Sequence, residues 1–476
     1  MTLDVASKTG KTPVLERMLS KYVGRQTSSI ENDITKTRNL LTLDVATKTG
    51  KTPVLERMLS KYVGRQTSSI ENDIAKTRNH SRQRGNIMRA VFGIDVSKAS
   101  SEVAILVNGE KVHGYTMSND ALGFARLLGD LRTVHKPEII FEATGVYSRP
   151  YTRLNPLEAK KQLDSLRVRK TDQIDAEKLA QSQFVLNRKP TYVQEEVYQN
   201  LRDLSRFYQN LTEDIVRAKN RLHKVLQVTF PELENILSTP SGEQYWNLVI
   251  AFPCKDCVLE LSNDELSKSI RLSTSKRISD KRVAYLAEKL IALANQSYCA
   301  VKKTSPILEE VRYYTKELLR LSEQRQAVLD EMVELAQPLP EYDILLSIPG
   351  IAETTATSII GELGDIRRFQ SANQINAFIG IDLRHYESGN FLAKEHITKR
   401  GNPYARKILF KCIHNIASAN HTNPCHIADF YKKRKRQSQT TSTKPHTIAS
   451  IHRLIRTMYY LITHNKLYDY TSTQNR

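Results

Sequence analysis

Apolar positions first become continuous just after Met88. Val91-Phe-Gly-Ile-Asp-Val reads as a buried strand ending at Asp95. Glu102-Val-Ala-Ile-Leu-Val, then Asn108-Gly109, then Glu110-Lys-Val-His-Gly-Tyr-Thr reads as two strands joined by a type I′ turn. Asn-Gly suits that turn because both residues tolerate positive φ. Asn119 is placed to cap a helix running through Leu131, with Leu122, Ala125, Leu128 and Leu131 at helical spacing. Glu138-Ile-Ile-Phe-Glu-Ala is a second buried strand and carries Glu142.

Farther along, the period becomes helical. Residues 195–228 align Leu201, Leu204, Leu211, Ile215, Leu222 and Val225, and residues 276–336 continue with Leu286, Leu290, Leu293, Ile307, Val311, Leu318, Leu321 and Val328. Such stripes are ordinarily core. Their length and charged flanks also suit antiparallel or intermolecular coiled coils. Strand, hairpin, helix, strand is the opening order of an α/β RNase H-like fold, in which the first and fourth strands are neighbours. Acids at their ends then meet.

The first 87 residues follow a different rule. Residues 3–39 and 43–79 match at a 40-residue offset, differing only at Ser7/Thr47 and Thr35/Ala75. Two copies are too few to stack into a solenoid. The expectation is a leader outside the enzyme, translated from upstream of the true start. The rival reading is a nucleic-acid-gripping arm, with sixteen Lys/Arg against eight acids.

Length and charge narrow the class. A chain of 476 residues predicts two to four domains. Lys+Arg 71 against Asp+Glu 51 gives +20, and 40% hydrophobic residues rule out wholesale disorder. Sixteen Lys/Arg face only Glu395, Asp429 and Asp469 in residues 394–476, with Lys432-Lys-Arg-Lys-Arg436 the densest run. A segment so biased is better explained by phosphates than by solubility. No apolar run approaches the ~20 residues of a membrane span, no signal peptide opens the chain, and five cysteines make no disulfide framework. A cytoplasmic, nucleoid-associated protein acting on DNA is expected.

On such a protein, scattered acids have a definite use. Two hard divalent cations can activate an attacking oxygen and stabilise a leaving one in phosphodiester chemistry, which takes three or four converging carboxylates. Asp95 and Glu142 supply two, and Lys170-Thr-Asp-Gln-Ile-Asp-Ala-Glu supplies Asp172 and Asp175 on one helix face. Singly each has a bland explanation: a turn, an edge, or a helix start capped by Thr171 or Asp172. All four in this order favour a Mg²⁺ site. Cys254-Lys-Asp-Cys257 has half a zinc spacing, but no second pair follows, and free thiols are expected.

Leu345-Leu-Ser-Ile-Pro-Gly-Ile-Ala-Glu suggests either a plain helical turn or a helix-hairpin-helix, whose backbone around Gly350 would grip a phosphate. Ile397-Thr-Lys-Arg-Gly-Asn-Pro-Tyr-Ala-Arg sets Lys399, Arg400 and Arg406 around a turn apt for phosphates.

Gly93-Ile-Asp-Val-Ser-Lys, Glu142-Ala-Thr-Gly-Val-Tyr and Lys170-Thr-Asp-Gln-Ile-Asp-Ala resemble the insertion-sequence 110 family of DEDD transposases, a likeness running from about Met88 to at least Leu409. The resemblance implies that Asp95, Glu142, Asp172 and Asp175 are the acidic tetrad of a RuvC-like domain. It also implies a coiled-coil spacer that helps oligomerise the protein as dimers or tetramers, and a structured guide RNA bridging target and donor DNA. Spacing alone leaves Ser388 in Tyr386-Glu-Ser-Gly-Asn a turn serine. The resemblance makes it the nucleophile, forming a phosphoserine link that preserves the ester for strand exchange. The divisions expected are 1–87 leader, 88–190 RuvC-like domain, 191–336 helical spacer and 337–476 basic, mainly α C-terminal transposase domain.

One departure stands out. Only Ala143 to Leu154 separate Glu142 from Asn155-Pro156, where a loop is expected to begin. A parallel crossover takes about a dozen residues or more. Tyr151-Thr-Arg-Leu154 therefore reads as a join across a missing helix and part of a strand, near 150–154, predicting an impaired transposase. Two other classes remain open: a metal-dependent junction-resolving nuclease without the serine step, and an inactive nucleic-acid-binding relic.

Overall fold

A computed structural model describes residues 89–142, 147, 157–159, 171–186, 192, 194–384, 387–388, 391–392, 396–438 and 441–471. The duplicated leader and the join at 150–154 lie outside these residues. The chain divides between Val193 and Gln194 into two compact units. Among the described residues no helix is long and apolar enough to cross a membrane.

The first unit is α/β. Strands β1 (Ala90–Val96), β2 (Ser100–Val107), β3 (Glu110–Ser118), β4 (Glu138–Glu142) and β5 (Leu157–Ala159) form one mixed sheet in the order β3-β2-β1-β4-β5. The hairpin forms as its turn chemistry predicts, with Asn108 at φ 50° and Gly109 at φ 89°. β4 lies parallel to β1, Ile94 opposite Phe141. Alternation along β1 splits its side chains between two layers. Phe92 and Ile94 pack with Leu127 and Leu131 of α1 (Ala121–Arg132), whereas Val91 packs with Ile140, Ala176 and Ala180 beside α2 (Asp172–Leu186).

Two details correct the sequence reading. The cap of α1 is Asp120, whose side chain accepts from Gly123 N, and not Asn119. Asn119 is engaged elsewhere, donating to the Ser97 carbonyl at 2.7 Å and accepting from Ser101 Oγ at 2.8 Å. The helix is also turned from the expected phase, burying Leu127 and Leu131 while Leu122 and Leu128 are exposed. Second, the apolar pattern did not predict β5, which begins at Leu157 and pairs parallel with β4, Phe141 opposite Glu158 and Glu142 opposite Ala159. The pairing takes only three residues of β5.

The second unit is mostly helical. Its long members, α3 (Glu196–Thr229) and α8 (Ile307–Ala336), lie antiparallel: Tyr198 Oη donates to Glu341 beyond the end of α8 at 2.6 Å, and Arg325 stacks over Tyr208. The second apolar stretch is two helices, α7 (Asp280–Gln296) and α8, interrupted at 297–306 where Pro306 ends the break. Shorter helices α4 (Glu243–Ala251), α5 (Asp256–Leu259) and α6 (Asn263–Leu272) fill the interval. One hydrophobic core runs on through α9 (Pro340–Leu346), α10 (Glu353–Leu363), α11 (Ala372–Ile379), α12 (Pro403–Ala419), α13 (His426–Arg436) and α14 (Lys444–Thr463). Among the described residues, four two-residue strands lie between α11 and α12. β6 (Leu383–Arg384) pairs with β9 (His396–Ile397), and β7 (Glu387–Ser388) pairs with β8 (Phe391–Leu392). The five cysteines are free, Cys254 and Cys257 with sulfurs 3.1 Å apart. Burial pushes the Cys254 thiol up to about 11.

Candidate active site and nucleic-acid interface

The direction of α2 decides where its acids go. Near its C-terminal end Gln183 Nε2 donates to Glu138 at 2.7 Å, and Arg89 Nε reaches the same carboxylate at 2.5 Å while its Nη2 reaches the Gln183 carbonyl at 3.3 Å. Arg89 and Glu138 stand at the starts of β1 and β4. The middle of α2 crosses Gly93 so closely that a Cβ there would lie 2.1 Å from the Ala176 carbonyl oxygen and 2.8 Å from Ala180 Cβ. The helix therefore runs antiparallel to β1 and β4, its first turn at their C-terminal ends.

That end holds the acids. Asp95 follows Gly93 by two residues and so shares the α2-covered face, half-buried. The backbone of Glu142 occupies the register position beside it, one step beyond the Ile94–Phe141 pair. Asp172, Ala176 and Ala180 stand four apart, on one stripe of α2, with Asp172 exposed and Asp175 half-buried in the first turn. Thr171 caps the helix, its Oγ1 accepting from Ile174 N at 3.3 Å. The backbone thus brings the four acid-bearing positions to one end of one sheet. Among the described residues no three His, Cys, Asp or Glu side chains form a metal-binding group, and the Glu142 side chain is not among those described. The donor set itself, hard carboxylate oxygens only, suits Mg²⁺. At the opposite end, the Arg89 guanidinium holds the Glu138 carboxyl below its ordinary value.

The remaining candidates lie in the helical unit. Ser388 is the last residue of β7 and lies opposite Phe391, the first of β8. In sequence this two-stranded ribbon lies between the two arms of a backbone clamp. Thr398 N donates to the Asp382 carbonyl at 2.9 Å, Lys399 N to that of Gly380 at 3.0 Å and Asn402 N to that of Phe378 at 2.9 Å. Lys399 sits in the left-handed region at φ 54°, and its side chain and that of Arg400 are exposed. Arg406 is turned inward, its Nη1 donating to the Ile379 carbonyl at 2.5 Å. It fastens the clamp rather than facing solvent with the other two.

Gly350 also has a packing duty. At φ 88°, its position would put a Cβ 2.6 Å from Ile416 Cα, so the turn between α9 and α10 lies against the backbone of α12. Sequence reasoning missed Glu362, Arg206 and Asn402, which meet behind the Lys399 turn. Asn402 carried a usable signal, because Asn before Pro is the usual start of a helix, cap then N1. Nothing in the sequence pointed to Glu362.

Comparison with known proteins bears on both units. A transposase model of the DEDD IS110 type matches residues 92–231, and a model described as transposase of the IS116/IS110/IS902 family matches residues 342–432. The transposase for insertion sequence element IS1111A of Coxiella burnetii is 36% identical over 93 residues, 20% of this chain and 26% of that protein. An uncharacterized 43.6 kDa protein of insertion element IS110 in Streptomyces coelicolor is 21% identical over 216 residues, 45% of this chain and 52% of its own. The pilin gene-inverting protein of Moraxella bovis is 28% identical over 166 residues, 33% of this chain and 50% of its own. The chain thus spans between 26% and 52% of the length of these relatives.

Proposed function

Since this chain belongs to the IS110 family of transposases, we propose that it cleaves and exchanges DNA strands as the transposase of an insertion sequence. Ser388 is the nucleophile: its hydroxyl oxygen attacks a backbone phosphorus, the sugar hydroxyl leaves, and the phosphoserine ester is later transferred to another strand. Asp95, Glu142, Asp172 and Asp175 would hold Mg²⁺, which when bound stabilises charge on phosphate oxygens. Lys399 and Arg400 hold DNA phosphates, and the Pro349-Gly350 turn offers backbone N–H groups in helix-hairpin-helix manner. Arg406 supports that grip from inside. A structured guide RNA and a homodimer or tetramer complete the assembly.

The observation that carries this reading is the antiparallel course of α2 over parallel β1 and β4, which sets the acid-bearing positions at one sheet end. The strand order β3-β2-β1-β4-β5 supports an RNase H-like domain over 88–190. The antiparallel α3–α8 pair supports a helical spacer over 191–336 ahead of a transposase domain over 337–476.

The test incubates the full chain with a labelled junction substrate, Mg²⁺ and cognate RNA. A covalent protein–DNA adduct that Ser388→Ala abolishes, and that Asp95→Asn also abolishes, is expected. Cutting that survives Ser388→Ala but not Asp95→Asn makes the protein a junction-resolving nuclease. Binding without cutting makes it the relic that a shortened 143–154 segment would leave.

A further inference from the structure

Behind the exposed Lys399-Arg400 turn sits a fully buried carboxylate. The Glu362 side chain, on α10, is 0% exposed. Arg206 of α3 meets it with two hydrogen bonds, Nε at 2.8 Å and Nη2 at 3.1 Å. Asn402 Nδ2 supplies the third, at 2.6 Å, and also reaches the Glu362 carbonyl at 3.2 Å. The other end of the same amide caps α12, Oδ1 accepting from Tyr404 N at 3.0 Å and Ala405 N at 3.2 Å. Arg206 stacks on Tyr404 in the first turn of α12, 4.5 Å from the ring centroid.

A cap alone needs only the oxygen of Asn402. The amide nitrogen is additional, and it aims at a buried anion whose desolvation makes each donor costly to lose. Three helices, α3, α10 and α12, thereby converge on the residue that follows the Lys399-Arg400-Gly401 turn. The turn itself holds a lysine at positive φ, a conformation that persists only when surroundings impose it.

We propose that Glu362, acting through Asn402, is a positioning residue that aims Lys399 and Arg400 at DNA phosphates. This rests on the proposal above that those two side chains hold DNA. The pair would work as a fixed mount: the two long cations are flexible, but the backbone they spring from is not.

The experiment measures binding of the full chain to a labelled duplex of arbitrary sequence across a salt series. Each phosphate neutralised by the protein contributes about 0.9 to the slope of log affinity against log salt. Lys399→Ala with Arg400→Ala is expected to lower that slope by about 2. Asn402→Ser keeps a good helix cap but removes the amide. It is expected to lower the slope by the same amount and to add nothing when combined with the double variant. Glu362→Ala should reproduce the loss, and Glu362→Gln, which retains an oxygen for Asn402, should restore it. Melting curves and far-ultraviolet circular dichroism check that each variant is folded. A slope unchanged in Asn402→Ser and Glu362→Ala, while the double variant lowers it, overturns the positioning role and leaves the DNA grip of Lys399 and Arg400 standing. A slope unchanged in the double variant overturns that grip itself.

Discussion

At Gly93 the whole first unit turns on a missing methyl group. Any side chain there would collide with the Ala176 carbonyl oxygen at 2.1 Å, a backbone atom that moves only with α2. Gly93→Ala is expected to destabilise the unit by about 1–3 kcal/mol, the usual range for overpacking. A thermal melt of the full chain measures this, and adduct formation should fall at least tenfold while duplex binding holds, because Asp172 and Asp175 ride on the displaced helix. Glu138 sets the other end of α2. Its carboxyl is held below the ordinary 4.5, chiefly by the Arg89 hydrogen bond and also by Gln183. The stability it contributes is present above pH 4.5 and lost as pH falls through the lowered value. Glu138→Gln should therefore lower the melting temperature at neutral pH and flatten its acid limb, the two proteins converging once the pH has fallen below the lowered Glu138 value. Sequence alone showed Asp95, Glu142, Asp172 and Asp175 as candidates because acids at strand ends and a helix start are visible in order. Gly93 passed as one more strand residue, since the carbonyl above it comes from more than eighty positions away.

Elements were legible where local chemistry fixes them. The Asn108-Gly109 hairpin, the strands bearing Asp95 and Glu142, and the helix starting at Asp172 all lie where their patterns put them. Reading slipped where two local solutions compete. Asn119 and Asp120 are adjacent capping residues, and the choice fell to Asp120 because Asn119 ties the β1–β2 turn to β3's end. β5 eluded the apolar pattern because only three residues pair, too few for periodicity to register. The α3–α8 pair carries the sharpest stability prediction at this scale. Leu318 is fully buried within it, so Leu318→Ala should cost about 2–5 kcal/mol in urea denaturation, with the midpoint falling and the slope unchanged.

For the whole molecule, charge and core set different limits. The net +20 is what points to a polyanionic partner, and its concentration in 394–476 points to that end of the sequence as the proposed contact. Four of those cations, Lys433, Arg434, Lys435 and Arg436, fill the last turn of α13. Changing all four to Gln should weaken duplex binding about equally for every sequence and lower the salt slope by about 1 for each phosphate no longer neutralised. If affinity changes for one sequence only, that surface reads bases instead. The amino-acid order by itself determined the charge balance that suggests a partner class, the helical and strand periods, and the candidates for chemistry, because charge, period and turn preference are properties of neighbouring residues. Tertiary structure alone decided that α2 runs back over β1 with its acids at the Asp95 end, that Arg406 faces inward, and that Glu362 stands behind the Lys399 turn. These depend on distant segments meeting, and close packing admits only one such meeting.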